Sequence, residues 1–176
     1  MDAEPGTYFI TFTGYGTWVP GDERGSSERL KFPGITVTRP EDRWREKLAR
    51  NRMAETPMVF GGMERSCIAD AITSVCDYRQ WPLLALNVRT NHVHVVVVSS
   101  SPAERVMNGL KAWSTRRLRE AGLIDGRNKV WTRHGSTRYL FSAADVARAV
   151  KYVVEGQGVD LGSSAGPNED LSDEIN

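Results

Sequence analysis

Four segments of the chain combine β-branched and aromatic residues with boundaries that are rich in turn residues, which is typical of β-strands. They run from Tyr8 to Thr13, from Leu83 to Arg89, from His92 to Ser99 and from Gly135 to Phe141. Only Thr90-Asn91 separates the second segment from the third. This spacing predicts a β-hairpin closed by a two-residue turn.

Other segments repeat their hydrophobic residues at helical spacing. A polar, arginine-rich stretch from Glu41 to Met53 predicts a surface helix, and Ser66 to Tyr78 predicts a helix that buries one stripe. Pro102 begins a third helix that reaches about Ala121-Gly122. A capping box at Ser142 and Asp145 begins a final helix that reaches Glu155, although Asp replaces the usual Glu or Gln.

Leaving the polar surface helix aside, the predicted order is strand, helix, strand, strand, helix, strand. This order predicts an α+β, ferredoxin-like split βαβ fold with an antiparallel sheet. The last helix is additional and is free to lie across the sheet. We expect one domain over residues 1–160, and a disordered acidic tail over residues 161–176, where Gly, Ser, Asn, Asp and Glu dominate.

Composition narrows the classes of function. The chain has 176 residues, 40% of them hydrophobic, and a net charge of +1, which argues against a surface that is basic throughout. No apolar segment has the length of a membrane span, and the N-terminus lacks the features of a signal peptide. Cys67 and Cys76 lie too far apart on one predicted helix to form a disulfide. We therefore expect a soluble cytoplasmic protein.

Positive charge is nevertheless concentrated in the middle of the chain. Lys111, Arg116 and Arg117 share a predicted helix with Trp113, and Arg133, His134 and Arg138 follow. A charged helix face is often only solvated, but this density favours contact with a phosphate backbone.

The long loop from Gly14 to Gly25 is a second candidate for DNA contact, through Trp18 and Arg24. Ordered loops of this length are either functional or held down by their own aromatic residues. Trp18 is therefore either a loop anchor or a platform for a stacked base.

Two of the three histidines lie on the third predicted strand, at His92 and His94. Alternating strand side chains point to opposite faces, so both imidazoles share one face while Val93, Val95 and Val97 share the other. The pair indicates either a metal site or a half-buried strand with a polar face. A catalytic metal site needs at least one further protein ligand.

Tyr152 lies about 120° from the centre of the apolar stripe of the last helix, so it is either a rim tyrosine or a residue that faces a site. A tyrosine hydroxyl, with an ordinary pKa of about 10, attacks a phosphodiester usefully only where a cation offsets the growing charge. Glu155 falls within about 60° of Tyr152 and could supply a third metal ligand. Gln157 could do so if the helix ends at Gly156.

Over most of residues 7 to 158, the chain resembles the HUH single-tyrosine transposases, and among them the group close to REP-associated tyrosine transposases. The motifs that carry the resemblance are the loop from Gly14 to Gly25, Asn91-His92-Val93-His94, the segment from Trp131 to Leu140, and the helix of Tyr152. His-x-His alone is a weak signal, whereas the four motifs in this order are specific.

The resemblance implies that His92 and His94 hold a divalent metal, Mg²⁺ or Mn²⁺. It implies that Tyr152 attacks single-stranded or hairpin DNA, forms a 5′-phosphotyrosine link and frees a 3′-OH that can later rejoin the strands. It leaves both a homodimer and a monomer open.

The chain departs from the family pattern at one position. Relatives commonly place a Gln or Asn ligand four residues after the tyrosine, where this chain has Gly156. Either Gln157 or Glu155 takes that role, or the metal binds weakly. The departure motivates one alternative to a strand transferase, a domesticated protein that binds DNA hairpins without cutting them. A metal hydrolase that uses activated water is a further alternative.

Overall fold

The computed structural model describes residues 4–23, 26–29 and 36–155 of the chain. The strands are β1 (Gly6–Thr13), β2 (Ser26–Arg29), β3 (Thr36–Arg39), β4 (Leu83–Val88), β5 (His92–Ser99) and β6 (Ser136–Leu140). The helices are α1 (Arg43–Asn51), α2 (Gly62–Arg79), α3 (Ala103–Glu120) and α4 (Ala143–Glu155). Each predicted strand and helix is present. The short antiparallel pair formed by β2 and β3 was not predicted.

A four-stranded antiparallel sheet, with the strands in the order β4-β5-β1-β6, organises the molecule. The two central strands, β1 and β5, pair along their whole lengths, from Gly6 opposite Ser99 to Thr13 opposite His92. The backbone N–H of Arg89 donates to the carbonyl of His92 at 2.8 Å and closes the expected two-residue turn. The predicted α+β split βαβ fold is confirmed.

Helices α2 and α3 cover one face of this sheet. Their buried residues, such as Ile72 and Leu110, pack against Phe12, Val93 and Val95 in the larger apolar core. Alternation along the strands sends these side chains to one side, so the neighbouring residues point to the other.

Helix α4 lies against that second face. Ala149 and Val153 pack there against Phe9, Val96 and Leu140 in a smaller apolar cluster.

The first turn of α4 is held by the expected capping box. The backbone N–H of Asp145 donates to Ser142 Oγ at 3.1 Å, and the N–H of Ser142 donates to Asp145 Oδ2 at 3.1 Å. The hydroxyl of Ser142 also donates to Asp145 Oδ2 at 2.7 Å, and this bond is the largest cause of a lowered pKa of the Asp145 carboxyl. Asp145 therefore takes the place of the usual Glu in this capping box.

None of the helices in the described part of the chain is both long and apolar enough to cross a lipid bilayer. The acidic tail expected over residues 161–176 lies outside the described residues.

Candidate active site

The candidate site lies on the face of the sheet that α4 partly covers, called here the α4 face. Residues directly opposite one another in antiparallel strands point to the same side. His94 on β5 lies opposite Thr11 on β1 and opposite Asn87 on β4. Thr13 lies opposite His92. One face of three adjacent strands therefore presents a row of polar side chains beside α4.

The two histidines are close together and held by different neighbours. Their ring centroids are 4.7 Å apart, with the planes at 73°. His94 is buried, with 7% of its surface exposed, and Phe9 stacks on its ring at 5.6 Å. His92 is half-buried at the start of β5. The pair is thus a fixed feature of the sheet surface.

Hydrogen bonds at Nδ1 orient both rings. Nδ1 of His92 lies 2.6 Å from Oδ1 of Asn91, and Nδ1 of His94 lies 2.7 Å from Oγ1 of Thr11. Because the amide oxygen can only accept, His92 donates from Nδ1, and its neutral tautomer then carries the lone pair on Nε2. Partners of this kind commonly orient metal-binding histidines.

Tyr152 is brought to the histidines by the docking of α4. Its ring centroid lies 5.7 Å from that of His94 and 6.0 Å from that of Phe9. The side chain is half-buried and packs at the edge of the small apolar cluster. The off-stripe position of Tyr152 thus corresponds to a place beside His94.

Asn87 connects this arrangement to the sheet. Its Nδ2 donates to the carbonyl of Val153 at 2.9 Å, across 66 positions of sequence. That carbonyl is one of the last four of α4, which have no partner within the helix. The last turn of α4, which contains Tyr152, is therefore tied to the strand next to the histidines.

Helical geometry indicated Glu155 as a third metal ligand, but the structure does not group Glu155 with the two histidines. Glu155 is exposed, and the described residues contain no cluster of three His, Cys, Asp or Glu side chains that could hold a metal ion. Glu155 lies about one turn beyond Tyr152 on α4. Gln157 lies outside the described residues. The donor set present, two oriented imidazoles, fits part of a divalent metal site.

The loop after β1 packs against the turn before His92. The N–H of Gly14 donates to the carbonyl of Asn91 at 2.7 Å, and Oγ1 of Thr17 donates to the same carbonyl at 3.2 Å. Trp18 is 44% exposed beside this junction. Arg24 lies outside the described residues.

Lys111 departs from its expected role as a surface contact for DNA. The side chain is 7% exposed, and its Nζ donates to the carbonyls of Thr132 and His134, both at 3.0 Å. Burial lowers the pKa of Lys111 to about 8. This lysine ties α3 to the segment before β6, so its assignment to the DNA-contacting set was wrong. The position of Lys111 on a helix could not indicate that the segment before β6 would cover its side chain.

Trp113, Arg116 and Arg117 belong to the layer of α2 and α3, on the far side of the sheet from the histidines. Trp113 packs against Tyr78 on α2, with ring centroids 5.8 Å apart. Arg116 and Arg117 are exposed and both pair with Glu120. The structure does not bring these three residues to Tyr152.

Arg138 is on the α4 face. It lies opposite Phe9 in the pairing of β1 with β6, and it is exposed. Arg133 and His134 are also exposed, in the segment that leads into β6.

The sequence did not predict four residues whose contacts position the histidines and α4. They are Phe9, Thr11, Asn87 and Asn91. Asn91 lies in a recognised motif, but its contact with the His92 ring was not foreseen. The other three are identified only through strand register and sheet order, which alternation along one strand does not determine.

The fold and site define a class of protein, and comparison with a family model assigns the chain to it. The model described as "Transposase IS200 like" matches residues 51–155, which is more than half of the chain and includes both histidines and Tyr152. The chain belongs to the IS200-like transposase family. The resemblance to single-tyrosine transposases is thereby confirmed.

Among solved structures, the chain is similar to a REP-associated tyrosine transposase bound to a REP hairpin. The identity is 12%, the TM-score is 0.48, and the match covers 84% of this chain and 64% of that one. The chain thus spans slightly less than two thirds of the length of that structure. A comparison with curated protein sequences found no match.

Proposed function

We propose that the protein is a DNA strand transferase that cleaves and rejoins single-stranded or hairpin DNA through Tyr152. The observation that carries the proposal is the position of the Tyr152 ring, 5.7 Å from the ring of His94 on the α4 face. Family membership supports the same reaction class.

In the proposed reaction, the hydroxyl oxygen of Tyr152 gives up its proton and attacks a backbone phosphorus. A bond forms between this oxygen and the phosphorus, and the bond from the phosphorus to the 3′-oxygen breaks. The strand downstream of the cut is then attached to Tyr152 through its 5′-phosphate, and the 3′-oxygen of the upstream strand takes up a proton. A 3′-OH can later attack the phosphotyrosine and reverse the sequence, so no ATP is needed.

We assign His92 and His94 as two ligands of a divalent cation, with Gln157 as the remaining candidate for a third. When bound, such an ion would offset the negative charge that grows on the phosphate oxygens. Imidazole ligands suit Mn²⁺ better than Mg²⁺, which prefers oxygen. Thr11 and Asn91 hold the rings, while Phe9 and Asn87 hold Tyr152 and its helix beside them.

The proposed partner is DNA with an unpaired or folded strand, in the cytoplasm. We assign two predicted contacts to this DNA: Arg138, which is exposed on the α4 face, and Trp18, which is 44% exposed in the loop after β1. Backbone charge and base stacking are the usual means of binding such DNA. Both a monomer and a homodimer are compatible with a Tyr152 that reaches the histidines of its own chain.

The direct test is covalent capture of DNA. We expect the wild-type protein, incubated with a hairpin oligonucleotide and Mn²⁺, to form an adduct that survives denaturing electrophoresis. Tyr152→Phe should abolish it because the attacking oxygen is absent. Tyr78→Phe removes a hydroxyl from an exposed tyrosine on α2 and should leave the adduct unchanged. An adduct that persists in Tyr152→Phe would disprove the assigned nucleophile.

A hairpin-binding protein that does not cut DNA is the second candidate. It is favoured by Gly156 at the usual ligand position. Salt-dependent hairpin binding, with no cleavage in Mg²⁺ or Mn²⁺, would support it. Cleavage without an adduct would instead indicate a hydrolase that uses activated water.

A further inference from the structure

Arg89 directly precedes the turn that leads to the two histidines, and it is not among the predicted DNA contacts. Its backbone N–H donates to the carbonyl of His92 at 2.8 Å, so the two residues form the pair that closes the hairpin of β4 and β5. Residues paired in this way have Cα atoms about 5.5 Å apart and side chains on the same side of the sheet. Arg89 therefore belongs to the α4 face, beside His92.

The alternation along β4 gives Arg89 the same placement independently. Leu86 and Val88 pack against the larger core under α2 and α3. Ala85 belongs instead to the small cluster under α4, and Asn87 binds α4. Arg89 is the next residue after Ala85 and Asn87 in that alternating series, so it follows them onto the α4 face. The structure shows Arg89 half-buried at this position.

Two routes connect Arg89 to Tyr152. Along the histidines, the ring of His92 lies 4.7 Å from that of His94, which lies 5.7 Å from the ring of Tyr152. Along β4, Asn87 lies two residues before Arg89 on the same face and binds the carbonyl of Val153, the residue after Tyr152. A phosphate that Tyr152 attacks beside the histidines is therefore within reach of the long side chain of Arg89.

The guanidinium group of Arg89 suits the charge that develops in such a reaction. Attack on phosphorus increases the negative charge on the non-bridging oxygens of the phosphate. A guanidinium is planar, stays protonated and presents five N–H donors, so it can bind phosphate oxygens and keep other hydrogen bonds at the same time. Unlike a bound metal ion, this charge is a permanent part of the chain.

We propose that Arg89 is a catalytic residue that binds a non-bridging oxygen of the phosphate attacked by Tyr152. Its charge stabilises the transition state, in addition to any cation held by His92 and His94. Arg89 forms no covalent bond and gives up no proton, so the bonds exchanged remain those of the Tyr152 oxygen and the 3′-oxygen. The inference rests on the proposed strand-transfer reaction and adds a group that neutralises the attacked phosphate.

The first test is the single-turnover rate of adduct formation with a saturating hairpin oligonucleotide in Mn²⁺. We expect Arg89→Gln to slow this step about 100-fold, as is usual when one group that stabilises the developing charge is removed. Arg89→Lys keeps a positive charge without the planar group, so its rate should lie between the two. Arg105→Gln removes a charge from an exposed position on α3, in the opposite layer, and should leave the rate unchanged.

A second test separates contact with the phosphate from a structural role beside the histidines. The phosphate joined to Tyr152 is located in the wild-type adduct and then replaced in the oligonucleotide by a neutral methylphosphonate. Binding is measured by fluorescence anisotropy in the Tyr152→Phe protein without divalent ions. The replacement should weaken this binding about tenfold, as expected for one hydrogen-bonded charge contact. With Arg89→Gln added, the replacement should have no further effect, because both changes remove the same contact.

Calorimetric titration with Mn²⁺ in the absence of DNA provides the control for the histidines. Arg89→Gln should bind the ion at least as tightly as the wild-type protein, since a neighbouring positive charge has been removed. Weaker Mn²⁺ binding, a wild-type rate of adduct formation, or equal sensitivity of both proteins to the methylphosphonate would overturn the role of Arg89 and leave the proposed reaction intact. Absence of an adduct in the wild-type protein would overturn the reaction itself, and with it this role.

Discussion

The hydroxyl of Thr11 illustrates how one residue can act on the site without lying at its centre. It lies 2.7 Å from Nδ1 of His94, on the strand paired with that of the histidines. If this bond is lost, the ring is still packed against Phe9, but Nδ1 loses a partner that orients it. The hydroxyl therefore serves as a positioning group.

We expect Thr11→Val to slow adduct formation and to weaken Mn²⁺ binding, each by about tenfold, since partners of metal-binding histidines commonly have effects of this size. Adduct formation and calorimetric titration with Mn²⁺ measure the two effects. Thr11→Ser keeps the hydroxyl and should retain most of the activity. Equal losses in the Val and Ser variants would show that packing, and not the hydrogen bond, is what matters.

At the scale of elements, the position of Tyr152 depends on how α4 docks. The capping box holds its first turn, Ala149 and Val153 bury its apolar side, and Asn87 binds its last turn. The helix contacts the sheet through a small apolar cluster, in contrast to the larger core beneath α2 and α3. The bond from Asn87 therefore adds a polar attachment to the apolar contacts that hold the last turn.

Asn87→Ala should loosen this turn and reduce stability by about 1 kcal/mol, the typical net contribution of one hydrogen bond. Hydrogen exchange should become faster in the last turn of α4, with little change in α2 or α3. Asn108→Ala, at an exposed position on α3, is the control and should change neither. Exchange that rises uniformly across the molecule would contradict a local role for Asn87.

At the scale of the molecule, the sheet separates two sets of basic residues. Arg138 lies on the α4 face with the histidines, whereas Arg116 and Arg117 lie on the opposite helical layer and pair with Glu120. A phosphate at Tyr152 is therefore closer to Arg138 than to the basic surface of α3.

Arg138→Gln should weaken binding of hairpin DNA and reduce the salt dependence of that binding by about one unit of log–log slope, as expected for the loss of one phosphate contact. The double variant Arg116→Gln with Arg117→Gln removes more charge, but it should weaken hairpin binding less than Arg138→Gln does. Anisotropy titrations over a range of salt concentrations compare the two. A larger effect of the double variant would show that the DNA lies mainly on the helical layer.

The four strands of the main sheet, the four helices and their order could be predicted from local signals, because periodicity, turn residues and the box at Ser142 and Asp145 are all short-range. The pair of β2 and β3 was missed. The shared face of His92 and His94 followed from strand alternation alone. The contacts of Thr11 and Asn87 could not be foreseen, since they depend on which strands become neighbours. Lys111 shows the same limit, because its charge indicated the surface while the fold of the segment from Thr132 to His134 buries it.

The histidines belong to β5, which is hydrogen-bonded to a neighbour on each side, whereas Tyr152 belongs to a peripheral helix. Peripheral elements with few buried contacts generally open at a lower free-energy cost than central strands. On warming, the protein should therefore lose its ability to capture DNA covalently before the imidazole pair is disrupted. The histidine pair should still be in place at temperatures at which Tyr152 no longer lies beside it.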